Sequence, residues 1–540
     1  MNHTVKIICF LLLFQIGNAQ EDKKIIIEYS DFADRNQTEI PNAILLSGNV
    51  KASHDGAVLY CNKAYWFTKE NYIKAFGNVR IIQGDTITMT STYAEYNGES
   101  KLAYANGNVV MQSPGSRLTS ETFYFDRNSQ LAYYSSGGTI TDKDNVLTSQ
   151  AGTYVVQAKM YRFRNAVTIT NPKYIIKTNH LDYYENSGHA YLFGPSTITS
   201  DENYIYTEKG FYDTKKNFSH FVKNSYIRYN NRLIEGDSLY YDRNREFASA
   251  TRNVKITDSI NNSIVKGHYG EVYRNKDSLM MTRRAVAMTL VELDTLYIHG
   301  KRLVVTGKPE NRIVRAYPNV RFYKTDMSGK CDSLHSSEQT GITKLIGSPV
   351  MWNFDNQMTG DLMHLISNKE TEKLDSLKVI NNTFIASKDT IGSGYNQVKG
   401  QFLYGKFRDN KLHEVDVVKN TEVIYYMRND EQELIGINKS VCSSINMILD
   451  ENKIETITFF KKSDGDIYPE TELPENARKL RGFIWRGDER ILNKEDIFPP
   501  EENEYHDKML EETKIDAQKE IFPLEVRKET LDYKETENDN

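Results

Sequence analysis

The stretch Ser47-Gly48-Asn49-Val50 recurs almost unchanged as Phe76-Gly77-Asn78-Val79 and as Asn106-Gly107-Asn108-Val109. The three valines lie 29 and then 30 residues apart. A fixed period of this length indicates one structural unit stacked many times, and it argues against a chain built around a single catalytic pocket. β-Branched residues continue the series, with a degraded step near Phe384, at Ile140, Val167, Ile198, Ile227, Val254, Val286, Val320, Val350 and Val423.

Apolar and polar residues alternate between the repeats. Val79 and Ile81 flank an arginine, and Ile87 and Met89 flank a threonine. Period-two alternation bounded by Gly, Asn and Asp is typical of half-buried strands. The high tyrosine count, 35, also suits pleated and partly exposed faces. Each unit therefore predicts two or three short strands, and the whole chain predicts an all-β body.

The first residues predict export. Lys6 precedes the apolar run 7–14, and Gly17-Asn18-Ala19 has the small residues of a signal-peptidase site. The run is too short to span a bilayer, so a cleaved signal peptide at 1–19 is expected. No other stretch has the length and hydrophobicity of a transmembrane helix, so no helical anchor is expected.

Cysteine and metal chemistry contribute little. Cys61, Cys331 and Cys442 remain after the signal peptide, an odd number at wide spacing. Isolated thiols are the expectation, with a Cys331–Cys442 bridge as the open alternative. Since no CxxC or Cys/His cluster occurs, no metal and no cofactor are expected.

The C-terminal part has a different composition. From Glu495 to the end it contains 16 acidic and 6 basic residues. Such composition predicts a Pro-rich acidic tail at 464–540 that is largely disordered, with a helix around 507–522. A docking arm for a basic partner is the functional alternative.

The order of residues within each repeat resembles that of a known family. The clearest unit runs from Glu235-Gly236-Asp237-Ser238-Leu239-Tyr240-Tyr241-Asp242 through Phe247-Ala248-Ser249 to Asn253-Val254. Units of this form resemble the OstA-like family. That family comprises the LptA-like periplasmic lipopolysaccharide-bridge proteins and the N-terminal domain of the LptD-like outer-membrane translocon.

The resemblance implies a repetitive β-jellyroll stack, folded over like a taco, with modules at 20–190, 191–345 and 346–463. Its inner face would be a hydrophobic trough that shields the acyl chains of lipopolysaccharide (lipid A) in the periplasm during outer-membrane assembly. Implied partners are OstA-like transport proteins, joined by end-to-end β pairing, and the outer-membrane translocon. The chain is longer than the bridge proteins and lacks the membrane strands of the translocon, so a soluble bridge and an outer-membrane accessory both stay open.

Lipid shielding has a physical rationale that requires no catalytic residue. Each methylene removed from water stabilises a bound acyl chain by about 0.8 kcal/mol. The alternating apolar residues are therefore candidates for the trough, although each could equally pack in an ordinary core. They are Val50, Val79, Ile81, Ile87, Met89, Val109, Met111, Leu118, Val167, Ile169, Ile198 and Val254.

One further function stays open beside lipid transport, and two others are disfavoured. An exported repeat scaffold or adhesin without a lipid ligand shares the signal peptide and the repeats. A repeat-built polysaccharide enzyme is disfavoured, because Asp126, Asp182 and Asp242 recur at turn positions, where Asp usually bonds to nearby backbone. Basic residues such as Arg80, Arg117 and Lys255 could meet lipid phosphates or simply be solvated. Nucleic-acid binding is not expected, since no basic stripe is present.

Overall fold

The computed structural model describes residues 24–516, apart from short gaps at 36–40, 84–86, 114, 143, 292, 309–310, 370, 372, 390, 409–410, 430, 451–452 and 462. The predicted signal peptide and residues 517–540 lie outside the described residues. Antiparallel strands dominate, which confirms the all-β repetitive fold. The chain divides into two compact units, one up to Asn224 and one from Ser225. The division into three modules stays a prediction.

The first unit is a ladder of hairpins. Its strands are β1 (Ile26–Tyr29), β2 (Phe32–Asp34), β3 (Ile44–His54), β4 (Ala57–Phe67), β5 (Tyr72–Gln83), β6 (Ile87–Asn97), β7 (Leu102–Ser113), β8 (Ser116–Asp126), β9 (Leu131–Tyr134), β10 (Gly138–Thr141), β11 (Val146–Ser149), β12 (Ala151–Val155), β13 (Met160–Asn171), β14 (Tyr174–Tyr184), β15 (His189–Thr199), β16 (Asn203–Asp213) and β17 (Phe218–Lys223).

The second unit also consists mainly of antiparallel strands, and its last described element is a helix. Its elements are β18 (Tyr226–Tyr229), β19 (Arg232–Glu235), β20 (Ser238–Asp242), β21 (Phe247–Asp258), β22 (Ser263–Tyr273), β23 (Ser278–Thr282), β24 (Val286–Val291), β25 (Asp294–His299), β26 (Arg302–Thr306), β27 (Ile313–Tyr317), β28 (Val320–Lys324), β29 (Met327–Cys331), β30 (Ser333–Ser337), β31 (Ile342–Ile346), β32 (Val350–Asn353), β33 (Asn356–Thr359), β34 (Leu362–Ser367), β35 (Leu374–Lys388), β36 (Tyr395–Arg408), β37 (Lys411–Arg428), β38 (Leu434–Asp450), β39 (Lys453–Phe460), β40 (Asp464–Tyr468) and α1 (Pro500–Asp516).

The repeated Gly-Asn pair forms a β-bulge. Gly107 and Asn108 have positive φ values of 82° and 50°, and the register between β7 and β8 shifts between Asn106 and Val109. A Cβ on Gly107 would collide with the hydroxyl of Thr92, so this position requires glycine. Each sequence repeat of about 30 residues therefore corresponds to two long strands, one of which contains the bulge. Similar bulges occur at Gly48-Asn49, Gly77-Asn78, Asn165-Ala166, Arg252-Asn253, Asn381-Asn382 and Lys419-Asn420.

A carboxylate on the neighbouring chain segment holds the bulge asparagine. Asn253 donates its side-chain amide to Asp237 at 3.0 Å, while the backbone N–H of Asp237 donates to the carbonyl of Arg252 at 3.0 Å. The same pairing joins Asn382 to Asp361 at 3.0 Å. This reciprocal contact explains why a Gly-Asp step precedes the bulge asparagine in these repeats.

The step near Phe384 is not degraded. A complete bulge precedes Thr383, and a further one precedes Thr421, which is two residues before Val423. Both threonines and the corresponding Ser196 are 1 % exposed. Their hydroxyls donate to nearby backbone carbonyls, as from Ser196 to Gly194 at 2.8 Å. The position after the bulge therefore requires a small buried side chain, and a polar one fits when its hydroxyl is bonded.

The aligned bulges fold the sheet of the first unit along one line. Half-sheet A contains the strand segments on the side of Ile44–Ser47, and half-sheet B contains those on the side of Val50–His54. The two halves separate after β8, where β9 and β12 continue half-sheet A while β10 and β11 continue half-sheet B. Both halves rejoin in β13. The result is an antiparallel sheet creased across its strands.

In the second unit, residues 473–509, here called the strap, lie against the sheet. Leu473 and Leu480 pack with Phe384 and Ile424, on the face opposite Thr383. Ile491 and Ile497 pack in the same way with Val286. The structure thus differs from the expected disorder over this part of the tail. The few apolar residues of the strap are irregularly spaced and give no periodic signal, yet an apolar sheet face buries them.

Two buried glutamines hold the backbone of the strap. The side chain of Gln397 donates to the carbonyl of Arg478 and accepts from the N–H of Leu480, both at 2.9 Å. Gln357 donates to the carbonyl of Ile484 at 2.8 Å and accepts from the N–H of Arg486 at 2.7 Å. After β40, the backbone of the strap is thus attached to the sheet through these side-chain hydrogen bonds and not through strand pairing.

Helix α1 ends the strap beside a group of histidines. His268 Nε2 lies 2.9 Å from His506 Nδ1, and Arg284 donates to the side-chain oxygen of Asn503 at 3.0 Å. Burial, reinforced by neighbouring cations such as Arg284, lowers the pKa of His268 and of His299 to about 4. Both imidazoles are therefore neutral where the helix packs at neutral pH.

Candidate functional site

The creased sheet of the first unit encloses a cavity of about 1070 Å³. Half-sheet A contributes Ile73, Phe123 and Phe125, and half-sheet B contributes Ile81 and Met111 among other apolar side chains. Both walls are therefore built by strands that share one crease. The volume is at the upper end of ordinary ligand pockets, and the lining is mainly apolar between two polar margins.

Five of the twelve predicted trough residues line this cavity: Ile81, Ile87, Met89, Met111 and Ile169. Five others, Val50, Val79, Val109, Leu118 and Val167, are buried in the hydrophobic clusters around it. Ile198 is partly buried against the cluster of Val167. Val254 is buried in the second unit. A role in ligand binding stays a prediction for all twelve.

The distance from the crease separates the two groups. Val79, Val109 and Val167 directly follow their bulges and are at most 1 % exposed. The next inward position lies two residues further along each strand, as in Ile169, and reaches the cavity. Alternation places both positions on the same face, so it could not distinguish the residue that fills the crease from the one that faces the cavity.

The aromatic wall of half-sheet A was not among the predicted residues. It includes Phe163, Tyr154 and Tyr161, which line the cavity on the far side of the crease. Burial and the nearby Glu185 raise the pKa of Tyr154 to about 12, so its hydroxyl stays protonated and donates to that carboxylate. The same period-two alternation continues before each bulge and could have revealed these residues.

Polar residues lie at the free margins of the two half-sheets, where the hairpin turns are. Arg127 and Lys159 occupy the margin of half-sheet A, and His54 and Asn145 occupy that of half-sheet B. The cavity thus has an apolar interior and a polar border, the distribution that an amphiphile requires.

The basic residues singled out from the sequence lie elsewhere. Arg80 stacks over the ring of Tyr60, with its guanidinium 4.9 Å from the ring centre, on the outer face of the sheet. Lys255 forms an ion pair with Glu235 at 3.4 Å in the second unit. Arg117 is outside the cavity lining as well.

A cluster of four side chains, here called the clasp, bridges the two margins. Arg127 Nη2 donates to the carboxylate and to the carbonyl of Asp55, both at 3.1 Å, and Nη1 donates to the hydroxyl of Tyr96 at 3.4 Å. The same hydroxyl lies 2.9 Å from His54 Nδ1. Residues from β3–β4 and from β6 and β8–β9 are thus joined across the opening of the crease.

The described cysteines form no disulfide. Cys61, Cys331 and Cys442 are free and buried, which confirms isolated thiols, and burial raises the pKa of Cys61 to about 11. Among the described residues no His, Cys, Asp or Glu group has a metal-binding arrangement. In the same part of the chain, no helix combines the length and hydrophobicity needed to cross a membrane.

The recurring aspartates do not share one environment. Asp126 and Asp242 accept backbone N–H groups of their turns, from Asn128 at 2.9 Å and from Arg245 at 3.0 Å. Asp182 instead lies within β14 and pairs with His180 at 3.0 Å. Two of the three therefore stabilise turns, as expected of Asp at such positions.

Comparison with known proteins gives one family and one solved structure. Residues 22–179 match the family described as OstA-like protein. No curated protein matches the chain. A crystal structure of LptH, the LptA-homologous periplasmic component of the lipopolysaccharide transport device of Pseudomonas aeruginosa, is 16 % identical over 25 % of this chain and 82 % of that chain. Its TM-score is 0.14, and no function is inferred from it. The family match confirms the resemblance found in the repeats over residues 22–179.

Proposed function

We propose that the first unit binds the acyl chains of lipopolysaccharide in its cavity and shields them from water during transport to the outer membrane. The observation that carries the proposal is the cavity itself, whose two apolar walls face each other across one crease. The match of residues 22–179 to the OstA-like family supports the same conclusion, since this segment supplies most of the lining.

The energetics favour hydrocarbon as the ligand. Each methylene that enters the cavity gains about 0.8 kcal/mol, so burying ten of them is worth about 8 kcal/mol before the cost of ordering the chain. The walls consist mainly of Ala, Ile, Leu, Met, Phe and Tyr side chains, and the charged and amide side chains lie at the margins. An acyl chain would thus find hydrogen-bonding groups only where its own polar head emerges.

Photocrosslinking to lipopolysaccharide tests the proposal. Crosslinking residues are introduced singly at Ile87 and Ile169, which line the cavity, and at their outward neighbours Thr88 and Thr168. The pairs are matched, because each differs by one position along the same strand. Val167 is unsuitable as a probe site, since it is 1 % exposed and lies in the crease.

Crosslinks confined to Ile87 and Ile169 are the expected result. Crosslinks of equal yield at all four positions would indicate non-specific association and contradict the proposal. Absence of crosslinks at every position would favour the alternative of an exported scaffold or adhesin without a lipid ligand.

The proposal includes a periplasmic location, near the outer membrane, and partners with the same fold. Strands β1 and β2 pair with β3 at the beginning of the sheet and carry exposed apolar residues, among them Ile26 and Phe32. Edge strands of this kind accept a further strand from a partner. End-to-end pairing with an OstA-like protein, and delivery to the outer-membrane translocon, fit this feature.

A further inference from the structure

The clasp places an arginine at the polar border of the cavity. The side chain of Arg127 is 13 % exposed, and the residue lines the cavity together with Gln130 and Lys159 from the same margin. Arg127 thus has one side in contact with the cavity and the other in contact with the opposite margin, through Asp55.

The carboxylate of Asp55 can be displaced from Arg127 by another anion at little cost. The side chain of Asp55 is 40 % exposed, and it belongs to the turn between β3 and β4. Ion pairs with this much exposure are weak, because water screens the attraction and solvates each charge separately. Moving Asp55 away from Arg127 would therefore leave a carboxylate that water can solvate.

The other contact of Arg127 is to a neutral group and does not depend on Asp55. The hydroxyl of Tyr96 accepts from Arg127 and is close to His54. Burial raises the pKa of Tyr96, so the phenol remains neutral at physiological pH. It fixes the direction of the guanidinium whether or not Asp55 occupies the remaining donors.

We propose that Arg127 binds a phosphate group at the polar end of the amphiphile in the cavity, and that Asp55 occupies this position before the ligand arrives. The inference rests on the proposed function, which it deepens by naming the group recognised. A guanidinium offers paired N–H donors that match two phosphate oxygens, and a phosphate carries more charge than the carboxylate it replaces. Lys159 at the same margin adds a second cation.

The test compares two lipids that differ only in phosphorylation: diphosphorylated lipid A and its dephosphorylated form. The full chain is titrated with each, and inorganic phosphate alone serves as the third probe. The variants are Arg127→Gln, Arg127→Lys and Asp55→Asn. Arg80→Gln is the matched control, because Arg80 lies on the outer face over Tyr60.

The wild-type protein is expected to bind the phosphorylated lipid about tenfold more tightly than the dephosphorylated one, the effect of one hydrogen-bonded charge pair. Arg127→Gln should abolish this preference by weakening binding of the phosphorylated lipid about tenfold more than that of the dephosphorylated one, and Arg127→Lys should restore part of it. Asp55→Asn should tighten binding of the phosphorylated lipid, since the internal competitor is gone. Arg80→Gln should behave as wild type.

Four results would overturn the inference. Equal binding of the two lipids by the wild type would show that Arg127 does not recognise phosphate, and it would leave the proposed function intact. Equal loss of both lipids in Arg127→Gln would show a structural role, and full competition by inorganic phosphate would assign the site to the free anion. Failure to bind either lipid would overturn the proposed function as well.

Discussion

Replacement of Gln397 by leucine should release the first part of the strap, residues 473–483, from the sheet of the second unit. Gln397 is 1 % exposed and makes two hydrogen bonds to the strap, one to the carbonyl of Arg478 and one from the N–H of Leu480. Leucine has a side chain of similar size and no polar group, so the packing changes far less than it would on truncation to alanine. The substitution therefore isolates the two hydrogen bonds.

The expected cost follows from what is left unpaired. A buried backbone donor or acceptor that loses its partner costs about 1–3 kcal/mol, so losing two gives about 2–4 kcal/mol once partial relaxation is allowed for. The rest of the sheet does not depend on Gln397 for its pairing, because β36 keeps its backbone bonds to β35 and β37. The loss should thus be local to the strap.

Hydrogen exchange of the full chain measures this effect. The amides of residues 473–483 should exchange roughly 30- to 1000-fold faster in Gln397→Leu, as 2–4 kcal/mol implies, while the amides of β36 stay protected. Gln357→Leu should act in the same way around Ile484. Gln112→Leu, the same change at a margin of the first unit, is the control. Unchanged protection of the strap in Gln397→Leu would refute the reasoning.

The other predictions concern the bulge, the histidines and the cavity. Gly107→Ala should lower the free energy of unfolding by about 1–3 kcal/mol, because the φ of Gly107 is 82° and the added Cβ would collide with a side chain. Gly115→Ala is the control, since a Cβ at Gly115 meets nothing within 4 Å and should change the free energy of unfolding little. Urea unfolding compares the two variants. His268 and His299 have a pKa of about 4 in the folded protein and 6.5 in the unfolded chain, so the unfolded chain binds more protons between these values. The free energy of unfolding should therefore fall as the pH drops from about 6.5 to about 4. A melting temperature that does not change across this range would contradict the assignment. Ile87→Asp should weaken lipid binding at least tenfold without unfolding the protein, since Ile87 is 40 % exposed at the cavity; circular dichroism checks the fold, and loss of β signal in parallel with binding would be the opposing result.

The sequence predicted the β architecture because its strongest signals are local. Alternation and the Gly-Asn pair depend only on neighbouring residues, and the positive φ of Asn78 and Asn108 shows why asparagine recurs there. The cavity was less predictable. Val109 and Met111 share a face of one strand, and only the position of the crease decides that Met111 reaches the cavity.

Residues that act through tertiary contacts could not be predicted from the sequence. Arg127 and Asp55 are 72 residues apart, and each occupies a turn whose composition is ordinary for an exposed loop. Gln397 is likewise a polar residue within an alternating strand, and nothing local distinguishes it from a solvent-facing glutamine. Their roles depend on segments that the fold brings together, the opposite margin in one case and the strap in the other.

The apolar outer face of the second unit explains why the strap covers it. In the first unit the outer face of half-sheet B carries polar residues such as Arg80 and Thr90, which water can solvate. In the second unit Phe384 and Ile424 point outward, and all four residues of β32 are buried. A sheet apolar on both faces needs a cover on each, and the strap supplies the outer one. Continuous apolar runs such as Val350–Trp352 therefore predict a covered face, and in this chain the cover comes from a segment whose acidic composition alone indicated disorder.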